Sequence, residues 1–339
     1  MHRSELLVDL GALRRNVRTL LNALEGSELW AVVKADAYGH GAADAAGAAL
    51  GAGATALCVA TVPEGLALRQ DFATARIIVL GPAGNLDVGY ARDAQLELVV
   101  SSGELPGGVR VHLKLDTGMG RWGLSELPVP PVDVVGLMSH LAAADTDAAY
   151  AEWQIERFRS ATQPYSHLTR HIANSAGALR YPAARFDAAR CGGALYGLSP
   201  FGTDPAEDGL EPVLTWTSHV AQTRLLRSGE STGYRRAFVA QSDTWIGIVP
   251  VGYADGFRRD MTGTVVRVAG EPRRVVGTVS MDAFAVELDR ELPVGTPVVL
   301  LGHGVLFEEH ARVAGTINYE LASGINSSPT RARRVVTDA

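Results

Sequence analysis

Leu29-Trp-Ala-Val-Val-Lys34-Ala-Asp-Ala-Tyr38-Gly-His-Gly41 is the stretch around which the chain is organised. An unbroken apolar run ends on a lysine, and an Ala/Gly-rich segment follows, so it reads as a buried strand, a turn and the start of a helix. A lysine on the C-terminal lip of a buried strand is partly desolvated, which lowers its pKa and frees its amine for Schiff-base chemistry. Composition sharpens this reading. Of 31 Lys+Arg residues only Lys34 and Lys114 are lysines, so nearly every solvating cation is an arginine and an amine is kept at two places.

Outward from this stretch the pattern repeats. Apolar runs of about five residues, each followed by a turn and a helical or Ala-rich segment, recur at βα spacing. They are Trp30 to Val33, Ala56 to Ala60, Arg76 to Leu80, Leu96 to Val100, Val111 to Leu115, Val132 to Met138, His167 to Ile172 and Arg185 to Ala189. Eight such runs are the count of a closed (β/α)8 barrel. The clearest helix between them runs from Asp147 to about Arg159, with Tyr150, Trp153, Ile155 and Phe158 sharing one face. From about Pro212 the grammar changes to β-branched runs divided by Gly/Asp/Pro turns: Val213 to Leu226, Thr244 to Val251, Gly263 to Val268, Arg274 to Val279, Ala283 to Leu288 and Pro297 to Leu301. The expected organisation is an α/β barrel over residues 1–212 and an all-β domain over 213–339. The first strand, Leu6 to Val8, suits either.

Several function classes are excluded by composition. A formal charge of −6 offers no basic field for nucleic acid, and Arg331-Ala-Arg333-Arg334 is too short to supply one. The N-terminus has no apolar secretory core, so a cytoplasmic protein is expected. Cys58 and Cys191 form neither a disulfide framework nor a metal set, and a buried thiol is the reading for each. Residues 45 to 62 are uncharged, but the break at Gly51-Ala-Gly53 divides them into helix, turn and strand, so no membrane span is expected. Gly51-Ala-Gly53-Ala-Thr-Ala56 precedes a strand instead of opening a helix, which rules out a dinucleotide fingerprint. His167 and His171 share a strand face without a supporting Cys or carboxylate, so no metal is expected.

The polar residues that follow the barrel runs are Lys34 and Tyr38, then Lys114, Asp116 and Arg121, then His140, then Asn174 and Ser175, then Arg190. In a (β/α)8 barrel the C-terminal rim is where an active site is assembled, so these residues should converge. Taken singly, Lys34 reads as a functional amine ahead of a surface lysine at a strand end, His140 as a satisfied core histidine, and Lys114 to Arg121 equally as a functional pair or as a glycine-rich turn that reverses the chain. Ser175 at a helix start and the Gly192-Gly193 pair offer the hydroxyl and N–H groups that cradle a phosphate.

Together these residues resemble the alanine racemase family. The resemblance is carried by Val33-Lys34-Ala-Asp-Ala-Tyr38-Gly-His-Gly41, Lys114-Leu-Asp-Thr-Gly-Met-Gly-Arg121, Ser139-His140, Ala173-Asn174-Ser175, Arg190 with Gly192, and Tyr196-Gly197. In the second domain it is carried by Gly252-Tyr253-Ala-Asp-Gly256, Ser280-Met281-Asp282 and Asn318-Tyr319-Glu320. It implies a (β/α)8 barrel with a C-terminal β domain, the cofactor pyridoxal 5′-phosphate and a homodimer with shared sites. It also implies interconversion of L- and D-alanine, for peptidoglycan supply. Lys34 would carry the cofactor and act as base on one face of Cα, with Tyr253 of the second chain on the other. A phenol is a weak acid, so it needs cationic neighbours or desolvated substrate charge for that task.

The resemblance further implies that Arg190 faces the pyridine nitrogen and that His140 packs on the ring. Tyr38, Ser175, Tyr319 and the backbone at Asn174, Gly192 and Gly193 would hold the phosphate. Arg121 and the Met281 backbone would bind the substrate carboxylate, and Lys114 is a candidate for carbamylation. Ser280 stands where many members have cysteine, and Cys191 and Gly193 where bulkier residues are common. These departures bear on entrance shape and substrate breadth. A racemase for another amino acid such as serine, and a non-catalytic pyridoxal phosphate protein, are the rival readings.

Overall fold

The computed structural model describes residues 2–338; residues 1 and 339, the outer ends of the two expected domains, lie outside the described residues. The chain forms two compact units, one of Leu13–Phe201 with Ala206–Glu211, the other of Met1–Ala12, Gly202–Pro205 and Pro212–Ala339. It opens with β1 (Glu5–Asp9) and α1 (Leu10–Leu24). The barrel strands follow: β2 (Glu28–Val32), β3 (Ala56–Val59), β4 (Ile77–Val79), β5 (Glu97–Val100), β6 (Val111–Lys114), β7 (Val134–Met138), β8 (Thr169–His171) and β9 (Ala188–Cys191).

All of them pair in parallel, in the order β8-β7-β6-β5-β4-β3-β2-β9. The seam between β8 and β9 is bridged by Asp187 N–H to Arg170 O at 3.1 Å and Arg190 N–H to Ala173 O at 2.9 Å, so the barrel is nearly closed. The expected (β/α)8 architecture is therefore the observed one. Strands such as β3 and β4 are buried throughout, as expected for a parallel sheet covered on both faces.

Side-chain alternation decides what fills the barrel. Trp30, Val32, Ala56, Cys58, Ile78, Val99, Met138 and Ala188 form one apolar cluster. Residues two positions away on the same strands share its face. That parity places Glu97 with Val99 and Arg190 with Ala188, and it puts His112 and Lys114 on one common face of β6. Charged groups are thereby laid along an otherwise apolar core.

The helices are α2 (Ala42–Gly51), α3 (Val62–Asp71), α4 (Asn85–Asp93), α5 (Ala148–Thr162) and α6 (Ser175–Arg180). Residues 45 to 62 form the end of α2, a turn and β3, and no helix among the described residues is long and apolar enough to cross a membrane. In α5 the buried face is Ala151, Gln154, Ile155, Phe158 and Thr162. Trp153 was expected on that face but is exposed. It pairs instead with Tyr150, ring centres 5.2 Å apart, and Tyr150 Oη donates to Gly118 O at 2.8 Å. The two aromatics roof the glycine loop, which a simple helical stripe does not reveal.

In the second unit β1 pairs antiparallel with β10 (Leu214–His219) and parallel with β19 (Arg333–Thr337). Between them come β11 (Gln222–Leu226), the small hairpin β12 (Ser231–Thr232) and β13 (Phe238–Val239), then β14 (Thr244–Val249), β15 (Val265–Val268), β16 (Glu271–Val276), β17 (Phe284–Leu288) and β18 (Pro297–Leu301). The nine-stranded sheet has the order β11-β14-β17-β16-β15-β18-β10-β1-β19. The run from Val213 to Leu226, read as one segment, divides at Val220-Ala221 because those residues bond to Thr296 and Ile248 on different neighbours. This sheet unit also carries α7 (Phe307–Ala314) and α8 (Asn318–Ser323).

Candidate active site

The segment after Lys34 does not enter a right-handed helix at once. Ala35, Asp36, Ala37 and Tyr38 all have φ between 51° and 55°, a left-handed turn of four L-residues. Each such residue costs on the order of 1–2 kcal/mol, so the surroundings must hold it. They do so with carboxylates. Glu64 accepts from Ala35 N–H at 2.9 Å and from Ala60 N–H at 2.7 Å, while Asp36 accepts from Ala42 N–H at 2.8 Å and so starts α2. Gly39 and Gly41, φ 83° and 97°, complete the reversal. The turn brings Tyr38 beside Tyr196, 5.2 Å between ring centres, and Tyr196 Oη donates to Val32 O at 2.9 Å.

Lys34 is thereby fixed at the lip of β2, where burial first, and the cations Arg121 and Arg190 as well, lower its pKa. Lys114, at the end of β6, is pushed down to about 8, again by burial before Arg121 and Arg190. Its ammonium lies 5.6 Å from the Trp122 ring, and Arg121 sits 5.5 Å from the same ring. Asp116 is not its direct ion-pair partner. That carboxylate accepts from the N–H groups of Gly118, Met119 and Gly120 at 2.8 to 3.2 Å, shaping the loop that presents Arg121.

Arg190 is fully framed. Its NH1 donates to His171 Nδ1 at 2.6 Å and His171 O at 3.0 Å, and its NH2 to Ser139 O at 2.8 Å and His140 Nδ1 at 3.2 Å. Burial lowers its pKa to about 10, which still leaves it a cation at neutral pH. Beside it, Ser175 Oγ gathers the N–H groups of Gly192 and Ala194 at 3.2 and 3.4 Å. Asn174 spends its side chain on capping α6, accepting from Gly177 N–H at 2.9 Å. Gly192 is required here, because a Cβ would lie 2.4 Å from Tyr38 Oη.

The barrel unit therefore assembles Lys34, Tyr38, Lys114, Arg121, His140, Asn174, Ser175, Arg190, Gly192 and Gly193 from the ends of its strands. Tyr253, Met281 and Tyr319 belong to the sheet unit. There Tyr253 N–H donates to Ser280 O at 3.0 Å and Ala254 N–H to Met281 O at 3.1 Å, joining the two expected loops. Tyr253 is 41% and Met281 51% exposed. The loop is braced by Asp255, 2% exposed, which accepts from Gly252 N–H at 2.9 Å and from Arg3 at 3.1 Å. Arg3, Asp255 and Glu64 were missed as supports, as were Glu97 and His112. The signal for the last two was present as polar residues inside apolar strands.

Burial holds His112 below its ordinary pKa, and His140 and His171 well below it, with Arg190 adding in each case. A folded pKa below the unfolded value means stability that is present above about pH 6.5 and is lost as pH falls. Each neutral buried histidine contributes a slope of about 1.4 kcal/mol per pH unit below that point. Denaturant titrations at pH 7, 6 and 5 should accordingly show unfolding free energy falling as pH drops, more steeply from 6 to 5 than from 7 to 6, because the unfolded chain takes up the protons that these buried imidazoles resist.

A (β/α)8 barrel that collects two lysines, two arginines and a hydroxyl–amide cradle on one rim has the make-up of an enzyme. Residues 8–200 match the family described as alanine racemase, N-terminal domain, and residues 213–335 match alanine racemase, C-terminal domain. Alanine racemase 1 of Bacillus subtilis is 39% identical over 96% of this chain and 91% of its own length. The biosynthetic alanine racemase of Pseudomonas aeruginosa superposes with a TM-score of 0.92 at 34% identity, covering 99% of this chain and all of its own. The alanine racemase of Streptomyces coelicolor gives 0.91 at 37%, over 99% and 98%. The chain belongs to the alanine racemase family and is an enzyme of the isomerase class.

Proposed function

We propose that the protein interconverts L- and D-alanine with pyridoxal 5′-phosphate as cofactor and with Lys34 and Tyr253 as its two bases. The observation that carries this is the Lys34 amine, desolvated and flanked by Arg121 and Arg190, on the same rim as the cradle of Ser175, Gly192 and Tyr38. The donor set fits the cofactor. Backbone N–H and hydroxyl groups suit a phosphate, an amine suits an aldehyde, and the carboxylates of Asp36, Glu64 and Asp116 are occupied by backbone N–H groups. When bound there, the cofactor supplies an electron sink that acidifies the substrate Cα–H.

The remaining work falls to this chain's residues. Tyr38, Ser175, Tyr319 and the backbone at Asn174, Gly192 and Gly193 would hold the phosphate. Arg190, with NH1 and NH2 engaged within the protein, would be held toward the pyridine nitrogen and would keep its proton, since a guanidinium gives one up reluctantly. His140, neutral through burial, would pack on the ring. Arg121 and the Met281 backbone orient the carboxylate, and Lys34 and Tyr253 move protons on opposite faces of Cα.

We assign Tyr253 and Met281 to the site of a second copy of the chain, so the working form is a homodimer. The domains are proposed as residues 1–212 and 213–339, with the first strand β1 packing in the sheet of the second, and the role as cytoplasmic D-alanine supply for peptidoglycan, testable by rescue of a D-alanine-requiring bacterium. Lys114 is proposed to be carbamylated. Carbon dioxide adds to a neutral amine, which the depressed pKa of Lys114 provides, and the resulting anion would remove repulsion from Arg121. Loading with 13C-bicarbonate should give a carbamate carbon resonance that Lys114→Ala abolishes; a free amine in the intact protein contradicts it. The function itself is tested with a panel of L-amino acids and chiral separation, in which alanine should be racemised fastest.

A further inference from the structure

The hydrogen bonds inside the barrel run one way. Arginine only donates and an ionised carboxylate only accepts. Arg190 NH1 lies 2.6 Å from His171 Nδ1, so that nitrogen accepts and the His171 proton sits on Nε2. His171 Nε2 lies 2.9 Å from His112 Nδ1, which must then accept in turn. The His112 proton is on Nε2, donated to Glu97 at 2.8 Å. Both imidazoles are thus neutral Nε2–H forms, their tautomers fixed by the two ends of the chain. Protonating His112 would reverse its Nδ1, turn His171 over, and set a second donor against Arg190.

The rest of the barrel supports this arrangement. Glu97, His112, His171 and Arg190 are all buried. Arg76 at 2.9 Å and Arg110 at 3.3 Å pair with Glu97; against the burial that would raise its pKa, His112 first and then Arg76 hold it down to about 2. The Trp30 ring lies 4.5 Å from His171 and 5.7 Å from His112. At Gly136 a Cβ would fall 2.1 Å from His112 Nδ1, so a glycine there makes room for the imidazole. Four ionisable groups in line, with a residue reduced to hydrogen to admit one of them, exceed what filling a barrel with aliphatic side chains requires.

We propose that Glu97, His112 and His171, given room by Gly136, are positioning residues for Arg190. The relay supplies the guanidinium with a carboxylate counter-charge across the barrel and anchors NH1, so that the group's orientation toward the cofactor is set from the opposite end of the barrel. This rests on the reading that Arg190 faces the cofactor's ring nitrogen.

The test is nitrogen NMR of 15N-histidine-labelled holoenzyme, joined to the absorbance of bound pyridoxal phosphate and to kinetics. In the wild-type protein His112 and His171 should both be neutral Nε2–H forms, a result that needs no variant. Glu97→Gln and Gly136→Ala should each change the signals of His171, which lies one imidazole beyond their shared contact with His112. They should also shift the cofactor band and lower kcat by about tenfold, with KM for alanine changed less than kcat. An Nδ1–H form of either histidine in the wild type, or unchanged His171 signals and cofactor band in both variants, overturns the relay. If the relay signals are as expected but Arg190→Lys leaves the cofactor band unmoved, the placement of Arg190 falls, and the relay's purpose with it.

Discussion

Lys34→Ala is expected to lose alanine racemisation by about 10,000-fold or more while its thermal stability stays equal or rises. Lys34 lies past the end of β2, outside the apolar cluster of the barrel, so truncation opens no core cavity. It also removes a partly desolvated cation that Arg121 and Arg190 repel, which relieves the folded state. The two readouts therefore separate. Chiral separation of product measures the first and a melting curve the second. Turnover within about tenfold of wild type would assign the proton transfer to another group. Borohydride reduction of the pyridoxal-phosphate-loaded wild type, followed by proteolysis and mass measurement, should tag the peptide containing Lys34.

Tyr253→Phe is expected to suppress L-to-D conversion by about 1,000-fold and to leave the cofactor bound. The loss is one hydroxyl at an exposed position on a loop held by Asp255, Gly252 and Ser280, so folding should be unaffected. With Lys34 intact, D-alanine should still exchange its Cα proton with solvent without inversion. Unchanged turnover from the L side would falsify the two-base assignment. Mixing Lys34→Ala and Tyr253→Phe chains distinguishes shared from self-contained sites. If each site borrows Tyr253, a mixed dimer holds one intact site and activity returns to about one quarter of wild type. If each chain is self-sufficient, both sites of the mixed dimer stay dead.

Much of this was legible because parallel strands buried on both faces leave long apolar runs that end abruptly at polar rim residues. The strand end at Lys34 was read directly on that basis, whereas the run through Lys114 was carried one residue too far, to Leu115. Where a charge lies inside a strand, the same rule misleads. The last strand was expected at Arg185 to Ala189 but is Ala188–Cys191, since Arg190 is buried against His171 and Ser139 instead of ending the run. The relay escaped for a related reason, because barrel register, Val99 opposite His112 and Gly136 opposite His112, decides which polar residues meet.

The left-handed turn from Ala35 to Tyr38 was illegible for a different cause. Its residues are ordinary L-amino acids, and only Gly39 and Gly41 after them hint at an unusual path. What compels the turn is Glu64 on a different βα unit, binding Ala35 N–H, and no local pattern carries that contact. Trp153 was misassigned because a helical stripe counts aromatics as core, whereas here they cover Gly118, where even a Cβ would lie 2.8 Å from Trp153.

The most direct test of the whole account is a single incubation of the pyridoxal-phosphate-loaded protein with L-alanine in deuterated water, read by chiral separation and mass. The account predicts D-alanine carrying one deuterium at Cα, formed faster than the D-form of any other amino acid tested. Cofactor bound at Lys34 with no deuterium entering alanine, or another amino acid exchanging first, would contradict it.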